Sequence, residues 1–315
     1  MKLVISMVLF VLSTSSIHAA ECLYINSYHQ GYAWSDKIET AVLAGLQGHC
    51  HVQVIRMDTK HHTSAAFGKK KALEIKAIID ANPPDVVIAS DDNASKYLLA
   101  PYFRNSHIPF VFCGINWTAQ DYGYPYDNTT GMIEVSPIKD LLSEAKRMFQ
   151  NIQRVAFIAV KGVHTDEKEF AWMSRIYGRQ GIQVVPFYVR TMAQWKQAYQ
   201  QAQAFDFIVL NNIAGIADWN HQDAVAYLLT HSHKLTVTTY DFMAKYSMLS
   251  MTKCAKEQGE WAAQVAIYLL AGEKARDIPI VANEKYHLYM NPTLLAAASI
   301  RLLSGIRFHA TRVQP

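Results

Sequence analysis

Charge is scarce in this chain: 18% of its 315 residues are Asp, Glu, Lys or Arg, against 50% apolar. That balance excludes a solvated, disordered polymer and fits a folded core. Neither sign dominates, because the formal net charge is only +4 and the basic residues are spread along the chain. Nucleic acid is therefore not an expected partner. Long apolar runs are also missing. Leu3–Leu12 is the longest, and it falls short of the roughly 20 residues that a membrane-spanning helix needs. No glycine-rich phosphate loop, no G-x-S-x-G elbow and no helical pair of histidines occurs. Those absences remove the main sequence signs of nucleotide binding, serine hydrolysis and zinc catalysis, and no cofactor is expected.

What is present begins with a leader. Lys2 precedes the apolar run, and small or polar residues follow through Ala20. This is the order of a secretory signal peptide over residues 1–20, with cleavage expected after Ala20. Glu21 before Cys22 argues against a lipid anchor, so the mature chain is expected to be exported and soluble. It is long enough for two lobes, each with its own core. Export permits a disulfide. Cys22 opens the first strand-like run and Cys50 immediately precedes the second, so a bridge between them is geometrically allowed. Two unpaired thiols fit the spacing equally well. Cys113 lies inside an apolar run and reads as a small buried hydrophobe.

Strand-like and helical stretches alternate after the leader. Runs at Cys22–Ile25, His51–Met57, Asp85–Ala89 and Ile108–Gly114 are separated by helical patterns over 36–47, 64–81 and 93–103. A second series follows Gly131, with strands at 154–160, 182–189, 206–210 and 235–239 between helices at 137–150, 166–180, 192–204 and 218–231. Such alternation predicts βαβ units with parallel sheets. The strands are apolar on both faces, as buried parallel strands must be. The predicted fold class is α/β, with two doubly wound parallel-sheet lobes and a ligand cleft between them. Residues 21–133 would form the first lobe and 134–250 the second. Residues 251–315 would cross back, with a long helix from Lys256 and a strand at Tyr286–Met290 returning to the lobes.

Ligands in open α/β sheets bind just past the carboxyl ends of the strands. The first such end here is unusually aromatic, carrying Tyr28, His29, Tyr32 and Trp34. Single rings there could simply pack on the next helix; the whole cluster suggests a binding wall. Ser90, Asp91 and Asp92 follow the third strand. Acids at a helix start stabilise it by about 0.3–1 kcal/mol, but one cap does not need both carboxylates. Asn116 and Trp117 end the fourth strand, next to Gly114, which permits close backbone approach. From the second series come Asn211 and Asn212, then Tyr240 and Asp241. Aromatic walls with a few amides and carboxylates describe a pocket for a small organic solute with an amine. The rival from another class is a hydrolase using Asp91 and Asp92, although adjacent residues at a helix start point in different directions. The histidine pairs 49/51, 61/62 and 231/233 have no companion ligands in sequence and read as solvated loop residues, so no metal site is expected.

Four segments resemble a known family: Ser27–Ser35 (SYHQGYAWS), Ala89–Ala94 (ASDDNA), Pro109–Asn116 (PFVFCGIN) and Tyr286–Asn291 (YHLYMN). They are similar to the bacterial ABC-transporter substrate-binding family that includes tryptophan/tyrosine-type binding proteins. The nearest branch often serves as the extracytoplasmic sensing domain of histidine kinases and cyclic-dinucleotide enzymes. The resemblance implies a periplasmic, type I-like two-lobed receptor, without catalysis, for an amino acid or related amine. Its partner would be the membrane permease of an ABC importer or a membrane sensor protein. Ser304–His309 departs from the family pattern by lacking a proline, which bears on how the last segment docks and not on the pocket.

Overall fold

A computed structural model describes residues 20–315. The expected leader, all but Ala20, lies outside the described residues. Strands β1 (Glu21–Asn26), β2 (His51–Arg56), β3 (Val86–Ser90), β4 (Phe110–Asn116) and β5 (Thr129–Glu134) form most of one sheet. Helices α1 (Ala33–Leu46) and α2 (Ala65–Ala81) and the short turns α3 (Asp91–Ala94) and α4 (Ala100–Tyr102) connect them. Alternate residues of β3 serve opposite cores: Val87 and Ala89 face α2, while Val86 and Ile88 face α1. The Sγ atoms of Cys22 and Cys50 are bonded, joining the start of β1 to the residue before β2. Cys113 and Cys254 are buried free thiols.

The chain then builds a second sheet. Helix α5 (Ile138–Met148) leads to β6 (Arg154–Val160), α6 (His164–Gly178), β7 (Gln183–Val189) and α7 (Met192–Ala202). β8 (Phe207–Leu210), α8 (His221–His231), β9 (Leu235–Thr238) and β10 (Leu249–Lys253) follow. Helix α9 (Ala255–Leu270) returns to the first lobe and packs on α1 so closely that a Cβ at Gly259 would lie 2.4 Å from the Ile38 carbonyl oxygen. After β11 (Val281–Ala282), β12 (Tyr286–Met290), α10 (Pro292–Ala297), α11 (Ser304–His309) and β13 (Thr311–Arg312) complete the second lobe. The first sheet has the order β11-β5-β4-β3-β1-β2, all parallel. The second has the order β13-β12-β10-β9-β8-β6-β7, parallel except where β12 meets β10.

The chain passes between the lobes after β5, after β10 and after β11, and these crossings are tied together. Asn283 exchanges side-chain bonds with the backbone of Val135, at 2.7 and 3.2 Å. Glu257 accepts the backbone N–H groups of Glu284 and Lys285, both at 2.9 Å. The last residues of β5 and β10, Glu134 and Lys253, form an ion pair with side chains only 7% and 9% exposed.

The structure corrects several sequence-based boundaries. β5 and β10 were not expected, because TTGMIE and LSMTK mix polar and apolar residues and lack a continuous apolar run. The helix expected over 93–103 runs continuously over residues 91–102, widened to a π turn at Ser95–Leu99 ahead of Pro101. The helix expected from Asp218 starts at His221, where the Asn220 side chain accepts the Asp223 N–H.

Candidate functional site

The carboxyl ends of both sheets face a common cleft. On the first lobe, Asn26 turns the chain out of β1 by accepting the Tyr28 N–H at 2.8 Å. Tyr28 is buried, and its ring meets Tyr32 edge-on with centroids 5.1 Å apart. Lys60, from the loop after β2, lies 4.5 Å from the Tyr28 centroid and 5.1 Å from that of Tyr32. Trp34 and Tyr240, from opposite lobes, both face Lys253, whose Nζ is 5.6 and 5.2 Å from their centroids. Desolvation pulls the Lys253 pKa down, but Glu134 and Glu169 outweigh it and hold the ammonium above its ordinary value.

Asp91 is buried with a left-handed backbone, φ 67°. Its carboxylate accepts the Ser35 hydroxyl at 2.9 Å. Gly114 at φ 70° makes this close approach feasible, since a Cβ there would sit 3.2 Å from an Asp91 carboxylate oxygen. Burial, then the charge of Glu134, pushes the Asp91 carboxyl from 3.8 up to about 8. Asp92 is spoken for inside the lobe: it accepts the Asn116 amide at 2.7 Å and the Tyr122 hydroxyl at 2.7 Å. Ser90 is likewise engaged, its hydroxyl by Tyr24 at 2.9 Å and its carbonyl by Ser27 at 2.6 Å.

On the second lobe, Asp166 and Glu169 sit on the first turns of α6. Glu169 collects the Trp117 indole N–H at 3.0 Å, the Ser136 hydroxyl at 2.9 Å and the Thr239 hydroxyl at 3.2 Å. Trp117 thus reaches across the cleft, and it also stacks on Trp172 with centroids 5.3 Å apart. Asp166 accepts the Val160 N–H and the Asn212 amide, and burial, working against those bonds, raises it to about 6. Tyr240 lies among Glu169, Asp166, Glu134 and Tyr32, and burial before these charges raises its hydroxyl well above the ordinary value.

Several expected residues are therefore brought together: Tyr28, Tyr32, Trp34, Asp91, Tyr240 and Asn211 border the cleft. Asp92, Asn116, Ser90 and Asn212 hold the loops that shape it. His29 turns away to Asp58, 3.6 Å from its carboxylate. Asp241 is at the outer rim, 3.7 Å from Lys37 of the opposite lobe. Sequence reasoning missed Glu134, Lys253, Asp166, Glu169 and Lys60. The first two end the unexpected strands. Asp166 and Glu169, three apart in a helix that follows a buried strand, entered the sequence reading only as part of the helix expected over 166–180.

Two polar groups in this cleft are buried without a well-formed hydrogen bond among the described residues, the Asn211 amide and the indole N–H of Trp34, although the Asn211 amide lies close enough to Asp166 to hold its carboxyl down. Such groups cost free energy unless something else satisfies them. Even with the proton on Asp91, the carboxyl groups of Glu134, Asp166 and Glu169 outnumber the ammonium groups of Lys253 and Lys60, so the site complements a cation.

The raised carboxyls also fix a pH dependence. The folded protein keeps on Asp91 a proton that the unfolded chain releases above 3.8, so its contribution to stability falls as pH rises towards about 8. The thermal midpoint of ligand-free protein is expected to drop between pH 6.5 and 8.5, and Asp91→Asn to flatten that slope. An equally steep slope in the variant would show that another group governs it.

Comparisons agree with this geometry. A ligand-free, open substrate-binding protein with adhesive properties from Clostridium difficile superposes with a TM-score of 0.69 at 12% identity, over 94% of this chain and 99% of that one. An ABC domain in complex with L-Trp from Streptococcus pneumonia gives 0.60 at 14%, over 93% and 99%. A periplasmic ribose ABC transporter protein from Conexibacter woesei gives 0.57 at 14%, over 90% and 96%. At such identities these likenesses establish the fold, that of type I periplasmic binding proteins. No curated protein matches the chain. The family model for the ABC transporter substrate binding protein matches residues 35–314, nearly the whole described chain. With two parallel-sheet lobes, a cleft at their carboxyl ends and that match, the chain belongs to the ABC transporter substrate-binding protein family.

Proposed function

We propose that this protein is an exported receptor that captures a small cationic solute, an amino acid or related amine with an aromatic or apolar body, for an ABC importer. The observation that carries the reading is the cleft's polar equipment: the buried Asn211 amide, and the Trp34 indole, whose N–H has no partner among the described residues and whose ring faces Lys253 together with Tyr240. Around them, Glu134, Asp166 and Glu169 supply carboxylates, and aromatic faces attract cations. A similar fold holds L-Trp, which makes aromatic amino acids the first compounds to test.

Solute would enter the open cleft, gain contacts from both lobes and shift the lobes towards closure. The closed surface would then be recognised by the importer's membrane permease, in the periplasm if the leader is used as expected. Among the described residues, no helix is long and apolar enough to cross a membrane. Catalysis is not part of the reading. Asp92 is committed to Asn116 and Tyr122, and Asp91 is committed to Ser35.

A thermal-shift screen of amino acids, biogenic amines, sugars and carboxylates tests this. An ammonium-bearing compound is expected to raise the midpoint and to be recovered chemically unaltered. Stabilisation by sugars or simple anions alone, or turnover of the hit, would overturn it.

A further inference from the structure

Two histidines read from the sequence as solvated loop residues, His61 and His62, meet in space with His29, which was read as part of the binding wall. His29 comes from the β1–α1 loop, while Asp58, His61 and His62 come from the β2–α2 loop. Backbone bonds lace these loops together: Thr59 N–H to Ser27 at 3.0 Å, Met57 N–H to Asn26 at 2.8 Å and Asp58 N–H to Tyr28 at 3.2 Å. Asp58 adopts a left-handed backbone, φ 56°, which aims its carboxylate back at the histidines.

One Asp58 oxygen lies 2.8 Å from His61 Nδ1 and 3.6 Å from His29 Nδ1. Its other oxygen is 3.7 Å from His62 Nε2. One ligand atom each from His29, Asp58 and His61 fall within 4.8 Å of one another. The His29 and His61 rings stack with centroids 3.6 Å apart and planes 21° apart. His29 Nδ1 is buried and has no hydrogen-bond partner among the described residues. A tetrahedral divalent ion with bonds near 2.0–2.1 Å places its ligands about 3.3 Å apart. The observed separations bracket that value, and imidazole with one carboxylate is a donor set suited to zinc and its first-row neighbours.

We propose that His29, Asp58 and His61 bind a divalent transition-metal ion of the zinc class, the remaining position being left to water. The ion would staple the two loops that carry the first-lobe wall of the cleft. Tyr28 and Tyr32 are in one of them and Lys60, lying over both rings, is in the other. Metal occupancy would therefore set the position of that wall. The metal site itself does not depend on the identity of the solute.

The test is calorimetric titration of the full, tag-free chain with Zn2+, and with Co2+ followed by visible absorption. One ion per chain is expected, with Co2+ giving the intense bands of tetrahedral coordination. His61→Ala and Asp58→Asn should each weaken binding at least tenfold. The His61 side chain is 61% exposed, so its loss should leave the fold intact. A double variant, His49→Ala with His51→Ala, should leave binding unchanged. No binding of either ion, binding unaltered in His61→Ala, or binding lost in the His49/His51 variant would each overturn the site.

Discussion

Lys253→Met is expected to destabilise the protein by about 3–5 kcal/mol, the cost of leaving one member of a buried ion pair alone. Lys253 ends β10 in one lobe and Glu134 ends β5 in the other, and both side chains are at least nine-tenths buried. Methionine preserves the apolar stem that passes Trp34 and Tyr240 but removes the ammonium. Glu134 and Glu169 then share a desolvated region without a counter-charge. Adding Glu134→Gln to the variant should recover a substantial part of the loss, because the second substitution removes the orphaned charge. Urea unfolding of the wild type, the single variant and the double variant measures this. A single variant within about 1 kcal/mol of wild type would mean that water reaches the pair, as at exposed salt bridges.

Asn211→Ala should move affinity and stability in opposite directions. The Asn211 side chain is fully buried, and among the described residues its amide makes no well-formed hydrogen bond, only a loose approach to Asp166. An unsatisfied buried polar group costs about 1–3 kcal/mol, so truncation is expected to leave the ligand-free midpoint unchanged or raised. The same change removes a hydrogen-bonding group from the solute and should weaken binding at least tenfold, about 1.4 kcal/mol. Trp34→Ala should weaken binding by a similar factor, since its half-buried indole offers a stacking face at the cleft. Loss of stability in Asn211→Ala with unchanged affinity would place this residue in the core and outside the site.

The alternation of apolar strands and helices was enough to predict two parallel-sheet lobes, because buried parallel strands are apolar on both faces. The same rule hid β5 and β10. Thr129, Thr130 and Glu134 in one, and Ser250, Thr252 and Lys253 in the other, interrupt any apolar run although most of these side chains are buried. Those two strands carry the charged pair at the lobe crossing, so the cleft's floor was illegible along with them. The aromatic loop at Tyr28–Trp34 was legible because its composition exceeds what a turn requires. Its partners were harder to read. Whether Asp91 or Asp92 is free depends on which carboxylate Asn116 and Tyr122 capture, and that is a matter of loop geometry. The His29, Asp58 and His61 cluster is assembled by strand order, since β1 and β2 are neighbours in the sheet.

The central claim is that a cation is held between acid and aromatic walls, and paired calorimetry tests it most directly. The best compound from the thermal-shift screen would be titrated at pH 7.5 beside its deaminated analogue, identical except that hydrogen replaces the ammonium group. Loss of a desolvated ionic contact should weaken the analogue at least a hundredfold, about 2.8 kcal/mol. Equal affinity for the two compounds would contradict the account.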